Sequence, residues 1–284
     1  MEENGRWLDS AVKAALAEDA ARKDITTRLL VETSRLGDAV IRAKASGIVS
    51  GHRAAQATFK ALDQAIAYSA AASDGTFVER GAAVARVYGH VRPILSAERT
   101  ALNFLQHLSG VATLTAAFVE RVRGTAAVIL DTRKTTPGMR ILEKEAVLHG
   151  GGRSHRSGLA DMILVKDNHI AAAGGLEAAL RKLSASNLAG AEIEVASLED
   201  LRALRERPPR RIMLDNFEPE MVREAVVEIK GWAKVPEIEV SGGVSLDTVA
   251  AYAAVGVDFI SVGALTNRAP ALDMSLELEG IDQK

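Results

Sequence analysis

The sequence predicts an α/β protein in which a mixed N-terminal region precedes a closed (β/α) barrel. Two observations carry this. From about residue 125, short apolar runs alternate with helical patterns, a rhythm that implies right-handed βαβ units around a parallel sheet. All six runs end in polar or glycine residues, namely Asp131, Lys166, Glu194, Asp215, Ser241-Gly242-Gly243 and Val262-Gly263-Ala264. In a barrel those ends converge on one mouth, whereas an open doubly wound sheet gathers them at a single switch point. The barrel is therefore favoured.

The elements follow in order. Leu8, Val12, Leu16 and Ala20 recur at helical spacing, and DITTRLL is a transition out of that helix. AVIRAKASGIVSG and GAAVARVYGHVRP read as strands bounded by glycine, with a helix, HRAAQATFKAL, after the first. SAERTALNFLQHLSGVATLTAAFVERV is a long helical stretch with an expected interruption at Ser109-Gly110. The domain boundary is placed there, giving an N-terminal domain over 1–110 and a barrel over 111–269. The barrel strands are AAVILD, DMILVKD, AEIEVAS, RRIMLDN, EIEVSGG and DFISVGA. GGLEAALRKL, SLEDLRALRER, EPEMVREAVVEI and SLDTVAAYAAVG supply helices between them.

Composition narrows the function. The 284 residues are 48% hydrophobic and 25% charged, with a formal net charge of -2. No global basic field exists, so no nucleic-acid partner is expected, and any anion must be held by a local group of cations. The absence of cysteine excludes disulfides, thiolate zinc sites and a cysteine nucleophile. The N-terminal segment is charged and amphipathic, and no apolar run approaches the roughly 18 residues of a membrane span. A cytoplasmic protein without membrane association is expected.

The chemistry concentrates in DTRKTTPGMR, GGGRSHRSGL and KDNH. Arg133, Lys134, Arg140, Arg153, His155, Arg156 and Lys166 fall within 34 residues of one another. Neighbouring cations repel and lose hydration, so such a group persists most readily with a polyanion as partner. Arg forks match carboxylate and phosphate oxygens, while Lys acts as a point charge. His155, beside Arg156 and beyond a glycine run, is a candidate carboxylate contact; His169 reads as structural. Glu194 and Asp215 end neighbouring strands and suit Mg2+, ribose hydroxyls or lysine partners. Glu192 shares a strand face with Glu194, which is preferred because it lies nearer the C-terminal end. Ser241, Gly242, Gly243 and Val262, Gly263, Ala264 occupy the last two strand-to-helix loops, where barrels commonly bind phosphate.

ERTALNFLQHLSG, DTRKTTPGMR, GGG-x-x-HR-x-GL, D-x-x-L-V-KDNHI, E-I-E-V, MLDNF, SGG and GVDFISVGALT occur in the order seen in quinolinate phosphoribosyltransferases, which the chain resembles from about Asp24 to Asp273. The resemblance implies an N-terminal α/β sandwich domain and an incomplete, seven-stranded α/β barrel, with the tail 270–284 packing on the former. It implies phosphoribosyl transfer from phosphoribosyl diphosphate to quinolinate with decarboxylation, yielding nicotinate mononucleotide, diphosphate and CO2. Thr132, Arg133, Lys134, His155, Arg156 and Lys166 would line the anionic pocket, with Lys134, Lys166, Glu194 and Asp215 closest to the chemistry. Glu194 and Asp215 would face ribose and Mg2+, directly or through water, and the two glycine loops would cradle the 5′-phosphate. A homodimer or assembly of dimers is implied, with Arg99 completing the neighbour's site. Glu145, Ser154 and Asn267-Arg268 depart from the residues common in the family.

Two other readings compete. Lys166 at a barrel strand end is also a candidate Schiff-base lysine of an aldolase-like enzyme. Relatives linked to molybdenum uptake share the fold without this activity, but their TRKTTPG and KDNH regions differ.

Overall fold

The computed structural model describes residues 2–282; Met1 and the last two residues of the tail lie outside it. The chain divides into two compact units. One comprises residues 1–116, 136–151 and 268–284, the other 117–135 and 152–267. The expected boundary at residue 110 falls at 116, the tail joins the first unit, and residues 136–151, expected in the barrel, belong to the first unit as well.

The first unit is built on an antiparallel sheet. Its strands are β1 (Leu36–Ala43), β3 (Ala67–Ala70), β5 (Ala83–His90) and β12 (Met274–Ile281), in the order β12-β1-β5-β3. A two-stranded ribbon joins β2 (Gly47–Ile48) to β4 (Phe77–Val78). Ile41, Val84, Val87, Phe59, Leu102 and Leu105 are buried in one apolar cluster with Leu272 and Met274 from the tail. The tail therefore adds both a strand and core side chains.

The helix Val91–Arg121 runs unbroken for 31 residues, through the Ser109-Gly110 step at which an interruption was expected. Two contacts fix it there. Ser109 Oγ bonds both the amide and the carbonyl of Ser50, at 2.9 and 3.1 Å. Gly110 lies so close to the Pro270 carbonyl that a Cβ would collide with it. This helix is long and apolar enough to cross a bilayer by length and composition, contrary to the sequence reading, yet Ile94, Ala97, Ala101, Leu102, Leu105 and Leu108 are core residues. The helix Arg140–His149 belongs to the same unit, because His107 bonds buried Glu143 at 2.8 Å and Ser50 Oγ bonds His149 at 2.8 Å.

The second unit is a parallel sheet of β6 (Val128–Leu130), β7 (Leu164–Val165), β8 (Glu192–Val195), β9 (Arg211–Asp215), β10 (Glu237–Ser241) and β11 (Phe259–Ser261). Their order is β6-β11-β10-β9-β8-β7, so the first strand pairs with the last, as barrel closure requires. An isolated parallel bridge between Leu130 and Arg153 extends the sheet beyond β6. That bridge is the irregular seventh member.

Strand register arranges the inner face in layers. Arg211 is level with Glu192 and Glu237, Met213 with Glu194 and Glu239, and Asp215 with Ser241. The alternate residues Ile193, Val195, Ile212, Leu214, Ile238 and Val240 are buried apolar side chains on the opposite face. The interior is therefore polar and the outer face apolar, and Asp215 and Ser241 stand at the strands' C-terminal ends.

Candidate active site

The loop after β6 is tied to the loop after β11. Thr132 Oγ1 accepts the Lys134 amide at 3.0 Å, and Thr266 Oγ1 donates to the Lys134 carbonyl at 2.8 Å. A Cβ on Gly263 would lie 3.0 Å from Lys134 Cδ and 3.7 Å from Thr132 Oγ1. Glycine there lets the lysine side chain lie along the last loop. Thr266 did not stand out in the sequence, since nothing in GALTN announces a bond to a residue 132 positions away.

Lys166 caps the helix Asp167–Ala173, its amide donating to His169 Nδ1 at 3.0 Å, which gives His169 the structural role expected of it. Lys166 Nζ reaches across to Glu194 Oε2 on the neighbouring strand. Burial pushes the Asp215 carboxyl above its ordinary range, and nearby Glu194 adds to that; Lys166, Lys134 and the Asn216 side-chain amide, at 2.7 Å, pull it back. Two carboxylates and two lysines thus form one electrostatic group.

Arg156 lies next to a second cationic feature. Burial lowers its pKa first, and the Arg133 guanidinium lowers it further. Two guanidiniums close enough to oppose each other's charge make a seat for a dianion. His155 is placed differently from expectation. Its side chain is only 6% exposed, with Nε2 on Glu192 at 3.1 Å and Nδ1 accepting the Arg156 amide at 2.7 Å. Both ring nitrogens are committed inside the protein, so the carboxylate contact expected of His155 has no free nitrogen to make it.

Gly242 and Gly243 both have positive φ, 89° and 63°, turning the chain after β10. Gly242 packs so tightly on Asn216 that a Cβ would overlap the Asn216 side chain, while the Asn216 amide donates to the Ser241 carbonyl at 2.8 Å. Bare backbone is thereby presented at the mouth beside Asp215. The Val262 amide is spent on the Leu130 carbonyl at 2.9 Å, so Val262 positions its loop without offering a donor. Gly263 completes that loop, Ala264 opens the short helix Ala264–Asn267, and Asn267 is exposed.

Arg99 is exposed on the helix Val91–Arg121 of the first unit. Among the departures, Glu145 forms an ion pair with Arg53 at 3.2 Å within that unit. Glu239, Arg211 and Ser261 are not among the residues the sequence singles out, and Glu192 ranks there below Glu194. The signal was present as acids spaced two apart in EIEV and again in EIEVS, because a buried strand carries such groups only with partners.

Residues 24–109 match the N-terminal domain model of quinolinate phosphoribosyl transferase, and residues 111–277 its C-terminal domain model. Nicotinate-nucleotide pyrophosphorylase [carboxylating] of Mycobacterium leprae is 40% identical, covering 94% of this chain and 95% of its own. The chloroplastic enzyme of that name from rice is 39% identical, over 96% of this chain and 78% of its own. The solved nicotinate-nucleotide pyrophosphorylase of Francisella tularensis superposes with a TM-score of 0.88 at 38% identity, covering 96% of each chain. The chain belongs to the quinolinate phosphoribosyltransferase family, pentosyltransferases of pyridine nucleotide biosynthesis.

Proposed function

We propose that the mouth of this barrel joins quinolinate to phosphoribosyl diphosphate and releases CO2, with the two ends of the reaction divided between its two cationic features. The carrying observation is the arrangement of Arg133 beside Arg156, Lys134 and Lys166 beside Glu194 and Asp215, and bare glycine backbone on the last two loops.

The paired guanidiniums suit the two carboxylates of quinolinate and hold the pyridine nitrogen toward the anomeric carbon. The glycine loops, Ser241 to Gly243 and Gly263 to Ala264, suit the 5′-phosphate. As the nitrogen attacks, the bond to diphosphate breaks through a transition state with oxocarbenium character. Lys134 and Lys166 neutralise the departing charge, which is electrostatic stabilisation by groups already in place. Glu194 and Asp215 orient the ribose and favour its developing positive charge. The ribosylated pyridinium then withdraws the electron pair of the adjacent carbon–carboxylate bond, CO2 departs, and that ring carbon takes a proton.

Glu194 and Asp215 fit Mg2+, since both are oxygen donors and the charge of Glu194 adds to burial in raising the Asp215 pKa, a repulsion that a cation between them would relieve. When bound there, directly or through water, Mg2+ supplies charge neutralisation for the diphosphate. The working form is a homodimer or an assembly of dimers in which Arg99, exposed here, completes the neighbour's quinolinate pocket.

The test is turnover of quinolinate with phosphoribosyl diphosphate, following CO2 release with and without Mg2+. Turnover only with Mg2+, and its loss in Arg99→Ala, supports the reading. Absence of CO2 release under all conditions overturns it.

A further inference from the structure

Beneath the mouth lies a buried polar group that the reaction above does not use. His155, Glu192 and Glu239 meet there, the two acids fully buried. Arg211 donates to Glu239 Oε2 at 2.8 Å and to Glu237 at 3.1 Å, and its guanidinium lies 3.8 Å from the centre of the Phe259 ring. Ser261 Oγ donates to the other Glu239 oxygen at 2.6 Å.

His155, Glu192 and Glu239 offer ligand atoms within 4.8 Å of one another, a spacing a metal ion could use. Arg211 already supplies the positive charge at Glu239, and a further cation would oppose it. The histidine is also in the wrong form. Nδ1 accepts the Arg156 amide, so it carries no proton, and the ring proton sits on Nε2, facing Glu192. A metal would have to displace that proton.

The same bonds describe a clamp. Glu192 fixes the Nε2–H tautomer, and that tautomer leaves Nδ1 as an acceptor for the main chain of Arg156. The His155 amide donates in turn to Asp131 Oδ1 at 2.9 Å, holding the segment to the end of β6. We propose that His155, oriented from the barrel core by Glu192, Glu239 and Arg211, is a positioning residue that sets the Arg156 backbone, and through it the quinolinate end of the site. This rests on the assignment of Arg156 to the dicarboxylate.

Glu192→Leu and Glu192→Gln in the purified, Mg2+-loaded enzyme separate the possibilities. Gln can place its amide oxygen where Oε2 stands, toward both His155 and Arg211, and keeps the tautomer. Leu removes the acceptor and one of two mutually repelling buried acids, so thermal stability is expected to hold or rise. The expected result for Leu is a KM for quinolinate raised about 10- to 100-fold, with KM for phosphoribosyl diphosphate within about twofold, and near-wild-type values for Gln. A wild-type quinolinate KM in Glu192→Leu, or both KM values rising together, overturns the clamp.

Should the Leu variant fail to fold, 15N spectra of histidine-labelled wild-type enzyme decide. His155, identified by loss of its signal in His155→Asn, is expected as the Nε2–H tautomer with and without quinolinate. An imidazolium or Nδ1–H form overturns the proposal. Arg156→Ala keeps the two failures apart. An unchanged quinolinate KM there sinks the pocket assignment itself, while a large rise beside an inert Glu192→Leu sinks only the clamp.

Discussion

Thr266 donates its hydroxyl proton to the Lys134 carbonyl at 2.8 Å, joining the last strand-to-helix loop of the barrel to the first. The side chain is almost fully buried, so the bond is sheltered from water. Thr266→Val keeps the shape and removes the donor. The cost in stability is expected to be about 1–2 kcal/mol, the usual effect of stranding a partly buried acceptor. Lys134 lies along Gly263, so the kinetic effect should fall on the phosphoribosyl side. KM for phosphoribosyl diphosphate is expected to rise several-fold while that for quinolinate stays put, measured by initial rates with each substrate varied in turn.

Lys166 faces Glu194 from the next strand and also lowers the Asp215 pKa. Lys166→Ala leaves two carboxylates without their nearest cation and removes a charge placed for the departing diphosphate. A fall in kcat/KM of about 10²–10³ is expected, in the range for loss of one preorganised stabilising group. Lys166→Arg should not restore it, because a planar fork cannot occupy the place of a compact ammonium. Borohydride treatment with a carbonyl substrate should leave no adduct on Lys166, which separates this role from a Schiff-base lysine. Recovery of most of the rate in the Arg variant would contradict the point-charge role.

The parts of this molecule legible in sequence are those where a residue's type and its strand position speak together. Asp215 and Glu194 stood out because acids seldom end apolar runs, and the structure places them in one electrostatic group with Lys134 and Lys166. The six strand runs were visible for the same reason, since β8 to β11 are short and buried. What was hidden depends on distance in sequence. Ser109-Gly110 looked like a helix break, but Ser50 and Pro270, far away in the chain, give both residues a reason to stay helical. His155 beside Arg156 looked like a second substrate contact. Only the register that levels Glu192 with Arg211 reveals why its ring turns inward. The helix Arg140–His149 follows the barrel's first strand in sequence, yet Glu143 pairs with His107 and the helix belongs with it to the first unit.

Gly242 adopts φ of 89° with Asn216 pressed against it. Gly242→Ala meets two penalties at once, a left-handed backbone and a collision with a side chain that braces Asp215. A cost of about 1–3 kcal/mol is expected from the backbone alone. Asn216 must move, and with it the amide that donates to Asp215 at 2.7 Å. Phosphoribosyl diphosphate binding is therefore expected to weaken more than quinolinate binding, as read by calorimetric titration of each. Equal weakening of both would mean that the loop serves the whole mouth and not its phosphate end.

The Glu239 carboxyl gives the fold a dependence on pH that can be read without substrate. Burial, then the neighbouring Glu192, raise its pKa from 4.5 to about 7, against the pull of His155, Ser261 and Arg211. The folded protein thus binds this proton more tightly than the unfolded chain does. Between pH 4.5 and 7 the folded state carries the proton while the unfolded state has lost it, so unfolding free energy falls as pH rises through that window. The contribution is present in full below the unfolded value and is gone above the folded one. Glu239→Gln copies the protonated form at all pH values and still offers an oxygen to Ser261 or Arg211. The difference in Tm, variant minus wild type, is therefore expected to grow from pH 5 to about pH 7 and to level off above it in scanning calorimetry. A difference that stays flat across that range would show that Glu239 is ionised throughout, with Arg211 and Ser261 outweighing burial.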